Sequence, residues 1–158
     1  MDTSTHIPWT VDMNETSKNS YDLLIFEIGD DHFGIDIRSV QELCNYSCLT
    51  RLVEDSRLIE GVASRNGAIM PMVDFRKYFR SGVLLYDDLT SVIIVRVRDR
   101  SICLIVDRVL ATTSLTSTQV EDISESGAPF HLDGLVGMAP WGGRQFFLLD
   151  LNKVLSVP

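Results

Sequence analysis

Nothing in the chain approaches the roughly 18 to 20 consecutive apolar residues needed to span a bilayer. Its opening, MDTSTHIPWTVDMNETSKNS, has no basic segment followed by an apolar one. The expectation is a soluble, cytoplasmic protein without direct membrane insertion. Cysteine is scarce, with three residues, an odd number that argues against a disulfide framework. Cys44, Cys48 and Cys103 read as structural thiols, and His6, His32 and His131 lie far apart and singly, so no four-ligand metal set is legible and no cofactor is expected. Basic residues are outnumbered 14 to 22, giving a net charge of −8, and a nucleic-acid ligand would have to overcome that field.

Signatures of catalysis are missing as well. The chain has no Walker loop, dinucleotide fingerprint, metalloprotease helix or nucleophile elbow. His32 and His131 read as surface or boundary residues. Asp36, Asp74, Asp107 and Asp150 fall at strand ends, where capping and strand-end hydrogen bonds explain them without a carboxylate pair. The one basic and aromatic cluster, Arg76, Lys77, Tyr78, Phe79 and Arg80, places Phe75 and Phe79 at helical spacing and fits a core stripe better than a base-stacking platform. The chain does not read as an enzyme.

What is present is the material for a core: 158 residues, 45% of them apolar and 23% charged, enough for one domain or two small lobes. Charge is uneven. Residues 21–56 hold eight acids and two bases, while residues 57–80 hold five bases and two acids. Residues 1–20 are polar and unpatterned and read as a flexible tail.

From Tyr21 onward the chain reads as short strands between turns. YDLLIFEIGDDHFGIDI is a hairpin turning at Gly29–Asp31, and RSVQEL adds a helical turn before NYSCLTRLV. Asn66–Gly67 is a strong turn signal, and Pro71 in AIMPMVD argues against the middle of a sheet. DFRKYF forms a short helix capped by Asp74, and SGVLLYDDLT reads as a connector near 81–90. A second hairpin turns at Arg98–Arg100, residues 111–130 read mainly as loop with one turn at TSTQV, and a strand, QFFLLD, leads into a terminal helix, LNKVLS.

The two series resemble each other. Displaced by 69 residues, Phe33, Ile35, Ile37 and Val40 meet Ile102, Leu104, Val106 and Val109. Displaced by 76, Met72, Val73, Asp74, Phe75 and Phe79 meet Leu148, Leu149, Asp150, Leu151 and Leu155. The repeat predicts an all-β protein of two small barrels, and a groove between two lobes suits a partner's helix or loop better than a reaction centre.

The order YDLLIFEIGDDHFGIDIRSVQEL, LTRL, LIEGVASRNGAIMPMVDFRKYF, TSVIIVRVRDRSICLIVDRVL, SLTSTQV and LDGLVGMAP with FFLLDLNKVL resembles the CheW-like adaptor family of bacterial chemotaxis. The resemblance covers about residues 21–157. It implies one CheW-like domain of two interlocked five-stranded β-barrel lobes with short helices. It also implies a non-enzymatic role, coupling chemoreceptors to a histidine autokinase in a signalling array. The implied partners are the regulatory domain of that kinase and the cytoplasmic tip of chemoreceptors, with recruitment to membrane-associated arrays. The rival readings are a small β-barrel enzyme or ligand-binding protein, and a structural array component without kinase coupling.

By the same resemblance, Val40 and Glu42 match positions associated with receptor and signalling contacts, and Gly61 matches a glycine where bulk disrupts coupling. One stretch departs from the family pattern GVINLRGxxxPxxDLR: here GVASRNGAIMPMVDFR puts Ser64, Arg65 and Asn66 at the asparagine, leucine and arginine places. In an extended strand that shift turns Arg65 to the opposite face from the customary arginine. Asn66 and Glu42 are expected to border the receptor groove, with Arg65 serving a neighbouring partner surface or a local salt bridge.

Overall fold

Alternation of apolar and polar residues between two-residue turns builds twelve strands among the residues described by the computed structural model, 20–53, 60–79, 85–122 and 133–155. In the first half of the chain they are β1 (Ser20–Ile28), β2 (Asp31–Asp36), β3 (Val40–Asn45), β4 (Thr50–Val53), β5 (Glu60–Arg65) and β6 (Ala68–Asp74). In the second half they are β7 (Ser91–Val97), β8 (Arg100–Val106), β9 (Arg108–Thr116), β10 (Glu121–Asp122), β11 (Leu135–Trp141) and β12 (Arg144–Leu149), followed by the helix α1 (Leu151–Val154). Short 3-10 turns occupy Ile37–Ser39, Tyr46–Cys48, Phe75–Tyr78 and Ser117–Gln119. Residues 1–19 of the expected tail, and 81–84 of the expected connector, lie outside the described residues.

The strands form two mixed six-stranded sheets, ordered β10-β11-β12-β2-β1-β9 and β4-β5-β6-β8-β7-β3. These orders correspond position by position. The repeat seen in the sequence is therefore present as a repeat of elements, but its halves are not the lobes. Each sheet takes its hairpin from one half of the chain and its remaining strands from the other. Of the described residues, the first lobe comprises 20–26, 30–38, 110–122 and 133–155, and the second comprises 27–29, 39–53, 60–79 and 85–109. Residues 85–90 thus fall within the second lobe, leading into β7, which pairs with β3. Each exchanged hairpin joins its host through the parallel pairs in the sheet: Phe147↔Phe33 and Leu148↔Gly34 in the first lobe, and Met72↔Cys103 through Asp74↔Ile105 in the second.

The expectation of five-stranded barrels is corrected in two respects. Among the described residues each sheet has six strands, and neither is closed by a ladder between its ends. Closure requires edge strands able to pair along their length, and here β10 offers two residues and β4 only four. Other local readings shift too. VQEL is strand, the helical turn stopping at Ser39, and β9 replaces the loop expected from 111 to 116, while the turn expected at TSTQV is present as the 3-10 turn Ser117–Gln119. Residues 123–130 of that expected loop lie outside the described residues. Pro71 does lie in a central strand, between β5 and β8, but the ladder to β8 begins only at Met72. Its missing N–H is therefore not demanded from that side.

Each lobe has its own core. In the first, Tyr21, Leu23, Ile25, Leu115, Ala139, Phe146 and Leu148 pack together, and Phe33 stacks on Phe26 and leans against Phe147 at centroid distances of 5.7 and 5.8 Å. The second packs Ala63, Met70, Met72, Val92, Ile94, Cys103 and Ile105. Asn66 (φ 52°) and Gly67 (φ 84°) both adopt the left-handed conformation that a two-residue hairpin turn requires, joining β5 to β6.

Candidate functional site

All five sequence-derived site residues fall in the second lobe. Along β3, Gln41, Leu43 and Asn45 are exposed while Val40, Glu42 and Cys44 are half-buried, so the two-residue period turns Glu42 inward. On β5 the same period puts Gly61, Ala63 and Arg65 on one face, with Ala63 in the lobe's core. Three strands separate β3 from β5 in the sheet order, yet Arg65 Nε donates to Glu42 Oε2 at 3.2 Å and the Nη2 group contacts the same oxygen more closely. The sheet curls until side chains meet across it where the backbone ladder does not. Of the two roles expected for Arg65, the geometry shows the local salt bridge.

Asn66, next in sequence, stands exposed in the hairpin turn. The expected reversal of faces between Arg65 and Asn66 assumed an extended backbone. The left-handed turn replaces it: Arg65 is the last strand residue, aimed inward, and Asn66 is displayed at the tip. The other two residues are set apart from the pair. Val40 opens β3 opposite Val95, with a bulge before Glu42, and Gly61 pairs with Met72 toward the other end of β5.

The ion pair governs the local electrostatics. Hydrogen bonding from the Arg65 guanidinium holds the Glu42 carboxyl below its ordinary range, and Glu42 in turn raises Arg65. Beside them, burial, then a hydrogen bond with the Cys48 thiol, pushes Cys44 up to about 11, and burial pushes Cys103 up to about 12. These two thiols are protonated at neutral pH, which deprives them of nucleophilic character.

A second polar constellation lies at the other end of β6, of which the sequence suggests only the Asp74 cap. Asp74 accepts from the Arg76 backbone N–H at 3.1 Å, as expected of a cap, but the Arg76 side chain also folds back to donate to both carboxylate oxygens at 2.9 and 2.8 Å. Both side chains are buried. Tyr86 donates to Asp74 Oδ2 at 2.7 Å, and its ring stacks on Tyr46 at 4.3 Å, with the Arg51 and Arg76 guanidinium carbons each 4.8 Å from its centroid. The Asp-x-Arg spacing is the available signal, hidden because Arg76 groups with the basic and aromatic cluster that runs to Arg80.

The remaining candidates resolve as structural groups. Asp36 accepts from the Arg38 N–H at 2.9 Å, Asp107 from the Gly29 N–H at 2.7 Å and Asp150 from the Asn152 N–H at 3.0 Å. His32 is buried, edge-on to Trp141 at 5.7 Å, rather than at the surface. His131 lies outside the described residues. Among the described residues no group of three or more His, Cys, Asp or Glu could hold a metal ion, and no helix is long and apolar enough to cross a membrane.

The second lobe thus presents the Arg65–Glu42 ion pair beside the exposed Asn66–Gly67 turn. Residues 22–158 match the model of the CheW-like domain. Chemotaxis protein CheW of Klebsiella aerogenes is 34% identical over 135 residues, covering 85% of this chain and 81% of that one. That of Thermotoga maritima is 26% identical, covering 86% and 88%. In fold, the chain is similar to the scaffolding protein TtCheW of Thermoanaerobacter tengcongensis, with a TM-score of 0.68 at 23% identity and coverage of 83% and 89%. The chain belongs to the CheW-like domain family.

Proposed function

We infer that the protein is a non-enzymatic adaptor that couples chemoreceptors to a chemotaxis histidine autokinase. The observation that carries this reading is the match of residues 22–158 to the CheW-like domain, together with a curated chemotaxis relative at 34% identity. The protein works in the cytoplasm, recruited to membrane-associated receptor arrays, and binds the cytoplasmic receptor tip and the regulatory domain of the kinase.

The receptor tip docks on the second lobe along Val40, Glu42 and Gly61 and at the Asn66 turn. Three features support this placement. Glu42 and Arg65 neutralise each other, so the lobe presents little net charge there. Asn66 offers an uncharged hydrogen-bonding group at the tip of the turn. Ile69, 69% exposed two residues after Gly67, adds an apolar contact. Arg65 holds Glu42 in place and touches the receptor only at the rim.

The test is titration of the purified protein, without ATP, against the cognate receptor tip and, separately, the kinase regulatory domain, using wild type, Asn66→Arg, Arg65→Ala, the double variant and Glu42→Ala. Asn66→Arg is expected to change receptor binding by roughly tenfold while leaving kinase binding intact. An unchanged receptor affinity for folded Asn66→Arg, in an assay that registers Glu42→Ala, removes Asn66 from the contact. Binding to neither partner, or ATP hydrolysis surviving contaminant controls, overturns the adaptor reading.

A further inference from the structure

The turns Gly29–Asp30, Asn66–Gly67, Arg98–Asp99 and Gly142–Gly143 display small or polar side chains. The segment before β7, Leu85–Thr90, differs: Leu85 is 77% exposed and Leu89 61% exposed, flanking exposed Asp87 and Asp88. Large apolar side chains in solvent are ordinary one at a time. Here two stand within five residues, with two exposed acids between them, so one short segment offers both apolar and acidic side chains to solvent.

That segment is held rigidly. Arg76 Nη1 donates to the Leu85 carbonyl at 2.9 Å, and Tyr86 is locked into the Asp74 and Tyr46 contacts. Asp87 Oδ1 accepts from the Leu89 and Thr90 N–H groups at 2.9 and 3.1 Å, and the Thr90 hydroxyl receives the Asp87 N–H at 3.1 Å. The Tyr46 N–H reaches the Thr90 carbonyl at 3.1 Å, tying the turn's end to the sheet. A turn fixed at this many backbone groups loses little conformational freedom when its leucines enter a partner, which is the condition for an effective docking element.

We propose that the Leu85–Thr90 turn is a docking element that inserts Leu85 and Leu89 into an apolar pocket edged by basic side chains on the kinase regulatory domain. The acids on the turn select the basic edge by charge complementarity. The choice of partner rests on the adaptor reading. A coupling protein must hold two partners at once, and this turn meets β6 at Asp74, the opposite end from Asn66–Gly67. Seven strand residues separate the ends, on the order of 20 Å at the rise of an extended strand.

The probes are Leu85→Ser/Leu89→Ser and, independently, Asp88→Lys, each checked for an unchanged thermal melt and titrated against the purified kinase regulatory domain and the receptor tip at two salt concentrations. The double variant is expected to bind the kinase domain at least roughly tenfold more weakly, with receptor-tip affinity within about twofold. Asp88→Lys is expected to weaken kinase binding about threefold at low salt and to flatten its salt dependence. Unchanged kinase affinity in the folded double variant overturns the proposal while leaving the adaptor reading standing, and so does a loss confined to the receptor tip. Wild-type protein that binds neither probe removes the adaptor reading and this proposal with it.

Discussion

The two lobes share a strand order and differ in what they bury. At corresponding places Asp74 ends β6 and Asp150 directly follows β12, and each accepts a hydrogen bond from the backbone N–H two residues on. In the second lobe that position two residues on is Arg76, buried and folded onto the carboxylate; in the first it is exposed Asn152. At another matched pair the first lobe places Gly34 opposite Leu148, and the second places Cys103 opposite Met72. The first lobe can thus seat the Phe146 ring where Gly34 lacks a Cβ, while the second fills the space with a thiol and methionines. The same backbone plan has become an aromatic core in one lobe and, in the other, a softer core with ionic groups at both ends of β6. Every candidate partner contact lies in the second.

The largest expected effect breaks that contrast at its ionic end. Arg76→Ala leaves the Asp74 carboxylate buried without its guanidinium, a class of change that costs about 3–5 kcal/mol. Asn152→Ala at the matching place is expected to fall within about 0.5 kcal/mol. Denaturant unfolding of both variants measures the difference, and equal values would dissolve the distinction. Next comes the first lobe's core. A Cβ on Gly34 would sit 2.8 Å from Phe146 Cε1 and 3.2 Å from Ile25 Cδ1, so Gly34→Ala overpacks a closed site at a cost of about 1–3 kcal/mol. Cys103→Ala at its counterpart removes one atom and costs about 1 kcal/mol.

Smaller effects sharpen the comparison through pH. Burial and the hydrogen bond to Asp74 push Tyr86 up to about 12, above its ordinary value near 10. The neutral phenol's contribution is therefore complete below about pH 10 and is lost as pH rises through the folded value. Tyr86→Phe is expected to cost about 1 kcal/mol at neutral pH and to lose this alkaline limb of the stability curve. Glu42 runs the other way. Its carboxyl is held low by Arg65, so the pair's contribution is present above the ordinary glutamate value, near about 4.3, and is lost as pH falls below it. Glu42→Gln and wild type should differ slightly in Tm at pH 7 and converge in acid, and a gap that persists in acid would separate the residue's role from its charge.

Much of this was legible in the sequence because it is local. Asn66–Gly67 announces a turn through the conformations those residues tolerate, the strands announce themselves by alternation, and the Asp caps follow from their places at strand ends. The repeat was legible as well, since Phe33 and Ile102 or Asp74 and Asp150 occupy equivalent places. The exchange of hairpins was not, because pairing β2 to β12 and β8 to β6 is a choice among distant partners that leaves no mark on either strand's own pattern. Site chemistry divides along the same line. Glu42 and Asn66 are singled out through family resemblance, but the reach of Arg65 to Glu42 depends on how far the sheet curls. The role of Tyr86 depends on a segment returning to the end of β6.

The most direct measurement is autophosphorylation of the cognate kinase, reconstituted with receptor-bearing membranes, across a titration of this protein. Adaptor coupling predicts that kinase activity becomes receptor-dependent only when the protein is present, and that Asn66→Arg shifts this dependence without altering the kinase measured alone. Receptor control that is indifferent to the protein, at concentrations where it binds both partners, would contradict the account and leave it a structural component without coupling.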